Sequence, residues 1–192
     1  MFVKSPLTKM TATIALIVVN VLVYVFTSML GGNFINTDLN VLLFFGQANY
    51  LVLEGWYWQL FTSMFVHVNF IHLTMNMLFL FIFGIRAEEL FSKKLYLGIY
   101  IESGLVGNIL TLLMGPAMVS AGASGAIFGI FGASIIYVGQ AVGRSIMNAL
   151  AYAFIMLLLS SMAAGVNILA HLGGLAAGLI IGYAAAKVSK FA

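Results

Sequence analysis

A few polar side chains lie in or against strongly apolar segments of this chain, where such groups are costly unless they serve a purpose. His72 and Asn76 are four residues apart, so both project from one face of a helix. Ser124 lies in the run Gly122-Ala123-Ser124-Gly125, at the start of another apolar stretch. A serine in the first turn of a helix has free backbone N–H groups beside it, which suits a developing oxyanion. Ser124 is therefore a candidate nucleophile.

His171 is a third polar site in an apolar stretch, and glycines at four-residue spacing follow it. Such glycines form a groove that allows close approach of a neighbouring helix. If the helix of Ser124 occupies this groove, His171 is brought against Ser124 as a nucleophile and base pair. The groove glycines are Gly174, Gly178 and Gly182, and the facing glycines are Gly125, Gly129 and Gly132.

The composition identifies the setting of these residues as a membrane. Of 192 residues, 63% are apolar, 7% are charged and none is cysteine. Soluble domains carry about 25% charged residues, so this chain cannot form a water-facing surface. The absence of cysteine excludes disulfides, thiolate nucleophiles and cysteine metal sites. In such a chain the net charge of +3 reports membrane topology rather than nucleic-acid binding.

Apolar stretches of about 20 residues predict an all-α integral membrane protein with six spans in a single domain, 1–192. The connection 31–68 is long and rich in aromatic residues, which predicts a loop lying in the outer membrane interface. The predicted spans are roughly 11–30, 69–90, 95–114, 122–142, 146–163 and 167–186.

The basic residues provide an independent check on this layout. Six spans place all eight on one side of the membrane, which the positive-inside rule makes the cytoplasmic side. Both termini are then cytoplasmic, and the outer ends of spans two, four and six carry His72, Ser124 and His171 at similar depth. The basic residues are Lys4, Lys9, Arg86, Lys93, Lys94, Arg144, Lys187 and Lys190.

Together these features resemble the rhomboid family of intramembrane serine proteases. The resemblance implies a six-helix rhomboid-type bundle in the cell membrane, with a membrane-lying first outer loop and no metal or other cofactor. It also implies cleavage of transmembrane protein substrates in or near the outer ends of their helices. The motifs that carry it are His67-x4-His72-x3-Asn76, Gly122-x-Ser124-Gly125 and Ala170-His171-x2-Gly174-x3-Gly178.

The resemblance also implies a role for each residue. Ser124 is the nucleophile and His171 the general base of a dyad, while His67 and Asn76 join the Ser124 N–H as oxyanion donors. His72 has a structural role. Residues expected to support the site are His72, Gly122, Gly125, Phe128, Gly174 and Gly178.

Three positions bear on how closely the chain follows the family's pattern. Gln59 stands where an arginine is common, and Phe128 stands where a tyrosine is common. Glu88 matches an acidic position thought to brace loop structure. Neither departure removes the predicted dyad.

Other interpretations remain open at the level of sequence. The pair His72 and Asn76 could be interhelical hydrogen-bonding residues, and the Gly-Ala-Ser-Gly run could serve helix packing alone. A zinc site could be built from His67, His72 and His171. The chain could also be a non-proteolytic rhomboid-like protein that binds transmembrane segments, or a small transporter, although no internal repeat supports the latter.

Overall fold

The computed structural model describes residues 11–143, 145–161 and 166–191, and six long helices dominate them. Five are long and apolar enough to cross a membrane, and the sixth contains the shorter apolar stretch Ile146–Leu157. In chain order the elements are α1 (Thr11–Gly31), α2 (Leu39–Phe45), β1 (Gln47–Ala48), α3 (Asn49–Leu53), α4 (Gln59–Thr62), α5 (Phe70–Leu90), α6 (Lys93–Thr111), β2 (Val119–Ser120), α7 (Ser124–Ala141), α8 (Ile146–Ser161) and α9 (Ile168–Phe191).

The prediction of an all-α bundle is confirmed, and the described helices begin and end within a few residues of the predicted spans. The end of predicted span five, at 162–163, lies outside the described residues, as do Lys4, Lys9 and Arg144. A short 3-10 turn, Leu112–Met114, extends α6 toward the next loop.

The polarity of the bundle is that of a membrane protein, with polar side chains inside and apolar ones outside. On α1, Thr13, Asn20 and Thr27 are buried. The Asn20 amide donates to the Leu16 carbonyl at 2.8 Å, which satisfies one of its buried groups. Glu102, near the middle of α6, is an exception because it is exposed. The apolar side chains exposed on α1 include Ile14, Val18, Leu22 and Val25.

The helices α7 and α9 pack in backbone contact. A β-carbon on Gly174 would overlap the carbonyl oxygen of Gly125, so no larger residue fits there. The same relation holds one and two turns later along both helices, which shows that they run in the same direction. These later pairs are Gly178 against Gly129 and Gly182 against Ala133.

The outer loop folds into short helices and is braced by Gln59. This side chain is fully buried. Its Nε2 donates to the Leu43 carbonyl at 2.7 Å and to the Phe44 carbonyl at 3.3 Å. Its Oε1 accepts from the backbone N–H of Ala48 at 2.9 Å. A neutral amide therefore braces the loop at the position where an arginine is common in the family.

Further buried amides fasten this loop to α6. Gln47 Nε2 donates to the Asn108 carbonyl at 2.9 Å, and Asn49 Nδ2 donates to the Thr111 carbonyl at 2.8 Å. Asn108 Nδ2 in turn donates to Ser63 Oγ at 2.9 Å. The strand β1 pairs antiparallel with β2, which leads into α7. The loop is thus tied to the segment that carries the candidate nucleophile.

Glu88 acts at the opposite end of the bundle. Its two carboxylate oxygens accept from the backbone N–H groups of Ala12 and Thr13, each at 2.9 Å. An acidic group at a helix N-terminus satisfies unpaired donors and complements the helix dipole. Glu88 therefore joins α5 to the start of α1, whereas the resemblance implies that it braces a loop.

The helix α8 is packed less closely than α9. It contacts α7 and α9. A cavity of about 530 Å³ lies between α5, α7 and α8, toward the ends of these helices that are opposite to Ser124 and His171. Its wall includes Arg86, Phe131, Asn148 and Tyr152. The bundle therefore has a tightly packed side and a side with internal space.

Candidate active site

A turn at Gly122 places Ser124 at the first position of α7. Gly122 has φ of +137°, a conformation that side chains rarely adopt. Its N–H donates to the Ser63 carbonyl at 2.9 Å, which holds the turn in place. Because α7 begins at Ser124, the first N–H groups of the helix have no carbonyl partners within it. These donors lie beside the serine hydroxyl.

His171 lies in the first turn of α9 and meets Ser124. Its Nε2 is 2.8 Å from Ser124 Oγ, and the histidine is 7% exposed. The close approach of the two helices makes this distance possible, since a β-carbon on Gly125 would be 3.1 Å from the Ala170 carbonyl oxygen. A hydroxyl hydrogen-bonded to an imidazole is the arrangement of a nucleophile and its general base.

Phe128 fixes the plane of the His171 ring. The two rings are stacked, with centroids 4.5 Å apart and planes inclined by 22°. Phe128 is four residues after Ser124, so the stacking ring and the hydroxyl share one face of α7. The phenylalanine provides the stacking surface without the hydroxyl that a tyrosine would add.

His72 and Asn76 approach this pair from α5. A β-carbon on Gly122 would lie 2.7 Å from His72 Cε1, so the His72 ring packs on the turn that precedes Ser124. Asn76 is 5% exposed, and its Nδ2 donates to the His72 carbonyl at 2.8 Å.

His67 lies in the loop before α5 and is fully buried. Its ring packs edge-on against His72 with centroids 5.4 Å apart. Neither ring nitrogen makes a hydrogen bond of good geometry within the described chain. Burial, followed by the influence of His72, lowers the pKa of His67 to about 3, although an interaction with the Phe65 backbone acts in the opposite direction. His67 is therefore a neutral ring packed against His72, and it is His72 that contacts the turn before Ser124.

Asn167 is a residue at the site that the sequence analysis does not single out. Its Oδ1 accepts from the Ala170 N–H at 3.0 Å, so it caps the helix that carries His171. An asparagine just before an apolar run is a known signal of a helix start. That signal could have identified it.

The described residues also bear on the zinc alternative. Within 11–143, 145–161 and 166–191, no three histidine, aspartate or glutamate side chains are grouped so that they could hold a metal ion. His67, His72 and His171 do not form such a group. The geometry therefore gives the zinc interpretation no support.

Comparison with known proteins shows the family of the chain. A family model described as the rhomboid domain matches residues 54–188. The putative rhomboid protease YdcA of Bacillus subtilis is 36% identical over 140 residues, which cover 69% of each chain. Rhomboid protease GluP of the same organism is 30% identical over 176 residues, 88% of this chain and 34% of GluP. Rhomboid protease AarA of Providencia stuartii is 29% identical over 201 residues, 90% of this chain and 71% of AarA.

The matched region includes the turn at Gly122, the start of α7 and the first turns of α9. It therefore covers the segments in which Ser124 and His171 meet. This chain belongs to the rhomboid family of intramembrane proteases.

Proposed function

We propose that this rhomboid protein is a serine endopeptidase that hydrolyses peptide bonds in or near the outer ends of transmembrane helices in substrate proteins. The observation that carries the proposal is the 2.8 Å separation of His171 Nε2 and Ser124 Oγ inside an apolar helical bundle. Ser124 Oγ attacks the peptide carbonyl while His171 takes its proton, and His171 then gives that proton to the leaving amine. Water hydrolyses the resulting acyl-enzyme with the same base.

The oxyanion formed in this reaction needs donors beside Ser124. We assign this role to the Ser124 N–H, the Asn76 amide and the His72 ring. The resemblance implies His67 in place of His72, but the packing of His72 on Gly122 supports His72, and the contact of His67 with His72 supports a structural role for His67. Loss of one such donor costs about 2.7–4 kcal/mol of transition-state stabilisation in serine proteases.

The substrate must enter from the membrane and meet water at the dyad. Entry between α5 and α8 is supported by the looser packing of α8 on the bundle. The cavity of about 530 Å³ that these helices share with α7 lies toward the end of the bundle opposite to the dyad, so it is not itself the site of cleavage. Peptide bonds within a helix are shielded by their own hydrogen bonds, so substrates should carry glycine or proline near the cut. Water would reach Ser124 from the outer side, because hydrolysis cannot proceed in dry lipid.

The distribution of charge supports an orientation. In the described chain, Arg86, Lys93, Lys94 and Lys187 lie at or near the helix ends opposite to those that carry Ser124 and His171. By the positive-inside rule these basic ends are cytoplasmic. We therefore place both termini in the cytoplasm, the dyad toward the outer face and the protein in the cell membrane.

The test is cleavage of a model transmembrane substrate by purified protein reconstituted in lipid vesicles. Wild type should release two fragments, and Ser124→Ala and His171→Ala should release none. Ser134→Ala is the matched control, because in the described part of the chain its hydroxyl bonds to the Ile130 carbonyl of its own helix, ten residues along α7 from Ser124. This control should cleave like wild type.

Two results would count against the proposal. Equal cleavage by Ser124→Ala and wild type would remove the nucleophile assignment. Binding of the substrate without cleavage by wild type would favour the alternative, a non-proteolytic rhomboid-like protein that holds transmembrane segments.

A further inference from the structure

Asn167 connects three segments that meet at the candidate active site. Its Nδ2 donates to Thr111 Oγ1 on α6 at 2.8 Å and to Ser120 Oγ on β2 at 2.9 Å. Its Oδ1 accepts from the Ala170 N–H on α9 at 3.0 Å. The residue is 9% exposed, so water contributes little to these interactions.

These three bonds fix the orientation of the amide. A carboxamide has two N–H donors and one carbonyl oxygen, and here both donors and the oxygen are used. Turning the amide over would leave buried donors and acceptors without partners, which is unfavourable in an apolar interior. Asn167 is therefore a rigid link rather than an adaptable contact.

The link joins the two halves of the proposed dyad. Ala170 immediately precedes His171. The backbone N–H of His171 also donates to the backbone carbonyl of Asn167 at 3.3 Å. Ser120 lies four residues before Ser124, in the strand that leads into the turn. Through these bonds the Asn167 side chain directly connects the segment that carries His171 to the segment that leads to Ser124.

The other contacts between these segments are backbone contacts, in which Gly125 meets Ala170 and, one turn deeper in the bundle, Gly174. These contacts begin at Ala170, so the start of α9 before that residue needs a further tie to prevent it from pivoting. The Asn167 link, placed near the start of α9, opposes such a pivot. Thr111 supports the link, because its hydroxyl donates to the Gly107 carbonyl of the same helix at 2.9 Å, which orients the hydroxyl oxygen to accept from Asn167.

We propose that Asn167 is a positioning residue of the catalytic pair, which sets the approach of His171 to Ser124 by tying the start of α9 to Ser120 and Thr111. This inference rests on the proposed function. Asn167 does not touch the reacting atoms of Ser124 in this arrangement, so its effect is on the geometry of the base. A displacement of about 1 Å at a catalytic group can lower a rate about 100-fold.

The test separates this link from the helix cap. Asn167→Ser retains a capping oxygen for α9 but is too short to reach Thr111 and Ser120, whereas Ser120→Ala removes only the arm toward the nucleophile. Both should lower kcat by roughly tenfold with KM nearly unchanged. They should also slow fluorophosphonate labelling of Ser124 by the same factor. The double variant should be no slower than the slower single variant, because both remove one shared interaction.

Thr74→Val is the matched control, since the Thr74 hydroxyl is exposed and bonds to the Phe70 carbonyl of its own helix. It should leave kcat and the labelling rate unchanged. Melting temperatures of all variants show whether any loss of rate follows from unfolding. Ser120→Ala is the milder variant and keeps the test informative if Asn167→Ser folds poorly.

The outcomes are distinguishable. If Asn167→Ser and Ser120→Ala are labelled at Ser124 as fast as wild type, Asn167 is only a helix cap. This inference is then overturned, while the proposed function stands. If the two single variants act additively, the link is not shared and the inference also fails. If wild type neither labels nor cleaves, the proposed function and this inference fail together.

Discussion

The two sides of α7 differ in how closely their neighbours approach. Against α9, glycines bring the two backbones into contact, and a β-carbon on Gly174 would overlap the Gly125 carbonyl. Toward α5 and α8, a cavity of about 530 Å³ remains in the part of α7 farther from Ser124. The candidate dyad spans the tight side, with Ser124 on α7 and His171 on α9.

This difference indicates that the two sides of α7 have different functions. A nucleophile and base must hold their geometry to within a fraction of an ångström, which backbone packing provides and long side chains do not. A substrate helix, in contrast, needs space and movable neighbours, which a loosely packed helix provides. The predictions below test whether the two sides behave as differently as they are packed.

The largest effect is expected from Gly174→Ala on the tight side. The new β-carbon meets the Gly125 carbonyl, which belongs to the backbone and cannot move aside cheaply. We expect a loss of about 1–3 kcal/mol in the free energy of unfolding and a drop in activity of about 100-fold. Steric trapping or denaturant unfolding, with cleavage assays, would measure both.

Gly139→Ala is the control for this change, because Gly139 is on α7 and a β-carbon there would have nothing within 4 Å. It should retain activity and gain up to about 1 kcal/mol from helix propensity. Similar behaviour of the two variants would contradict the claim that the glycine contact determines the site.

A smaller effect is expected from Gln59→Ala in the outer loop. The change leaves the Ala48 N–H and the Leu43 carbonyl without their partner. Buried groups left in this way cost about 1–3 kcal/mol, so unfolding should become easier by about 2 kcal/mol. Asn40→Ala, at an exposed position of the same loop, should change stability by less than about 0.5 kcal/mol. Equal stabilities would show that the loop does not depend on this amide.

Phe128→Leu should have a moderate effect that is confined to the base. It removes the aromatic face that stacks on His171 at 4.5 Å, while keeping an apolar side chain. Such stacking is worth about 0.5–1.5 kcal/mol, so labelling of Ser124 should slow by about 2- to 12-fold. Phe128→Tyr keeps the ring and should label at close to the wild-type rate. A leucine variant as fast as wild type would exclude a role for stacking.

The smallest effect is expected on the loose side, from Tyr152→Ala. Tyr152 is 57% exposed and lies in the wall of the cavity. Its loss should change stability by less than about 0.5 kcal/mol and leave labelling by a small probe unchanged. Cleavage of a transmembrane substrate should rise about twofold, since the passage between α5 and α8 is wider. A change in labelling without a change in cleavage would contradict this separation of the two sides.

The spans and the candidate dyad could be predicted because both depend on contrast within the sequence. In an apolar chain a polar group is rare, so Ser124 and His171 are conspicuous, and the glycine spacing after His171 indicates which helix face meets a neighbour. The difference between the proposed roles of His67 and His72 could also be predicted in part from the sequence. The spacing of His72 and Asn76 places them on one helix face, whereas His67 falls before that helix begins.

The bracing residues could not be predicted in the same way. Gln59, Asn49 and Asn108 bond mainly to backbone carbonyls far away in the sequence, and such partners have no residue type to recognise. The two-residue pairing of β1 with β2 is too short to leave a periodic pattern. Asn167 gives a cap signal, but its bonds to Thr111 and Ser120 depend on how three segments meet.

The most direct test of the central claim is the rate at which a fluorophosphonate modifies Ser124, with the modified residue located by peptide mass spectrometry. Because general-base catalysis contributes about 100- to 10,000-fold, wild type should be modified at Ser124 and His171→Ala at least about 100 times more slowly. Equal rates for the two proteins, or modification at another serine, would contradict the assignment of Ser124 and His171 as a catalytic pair.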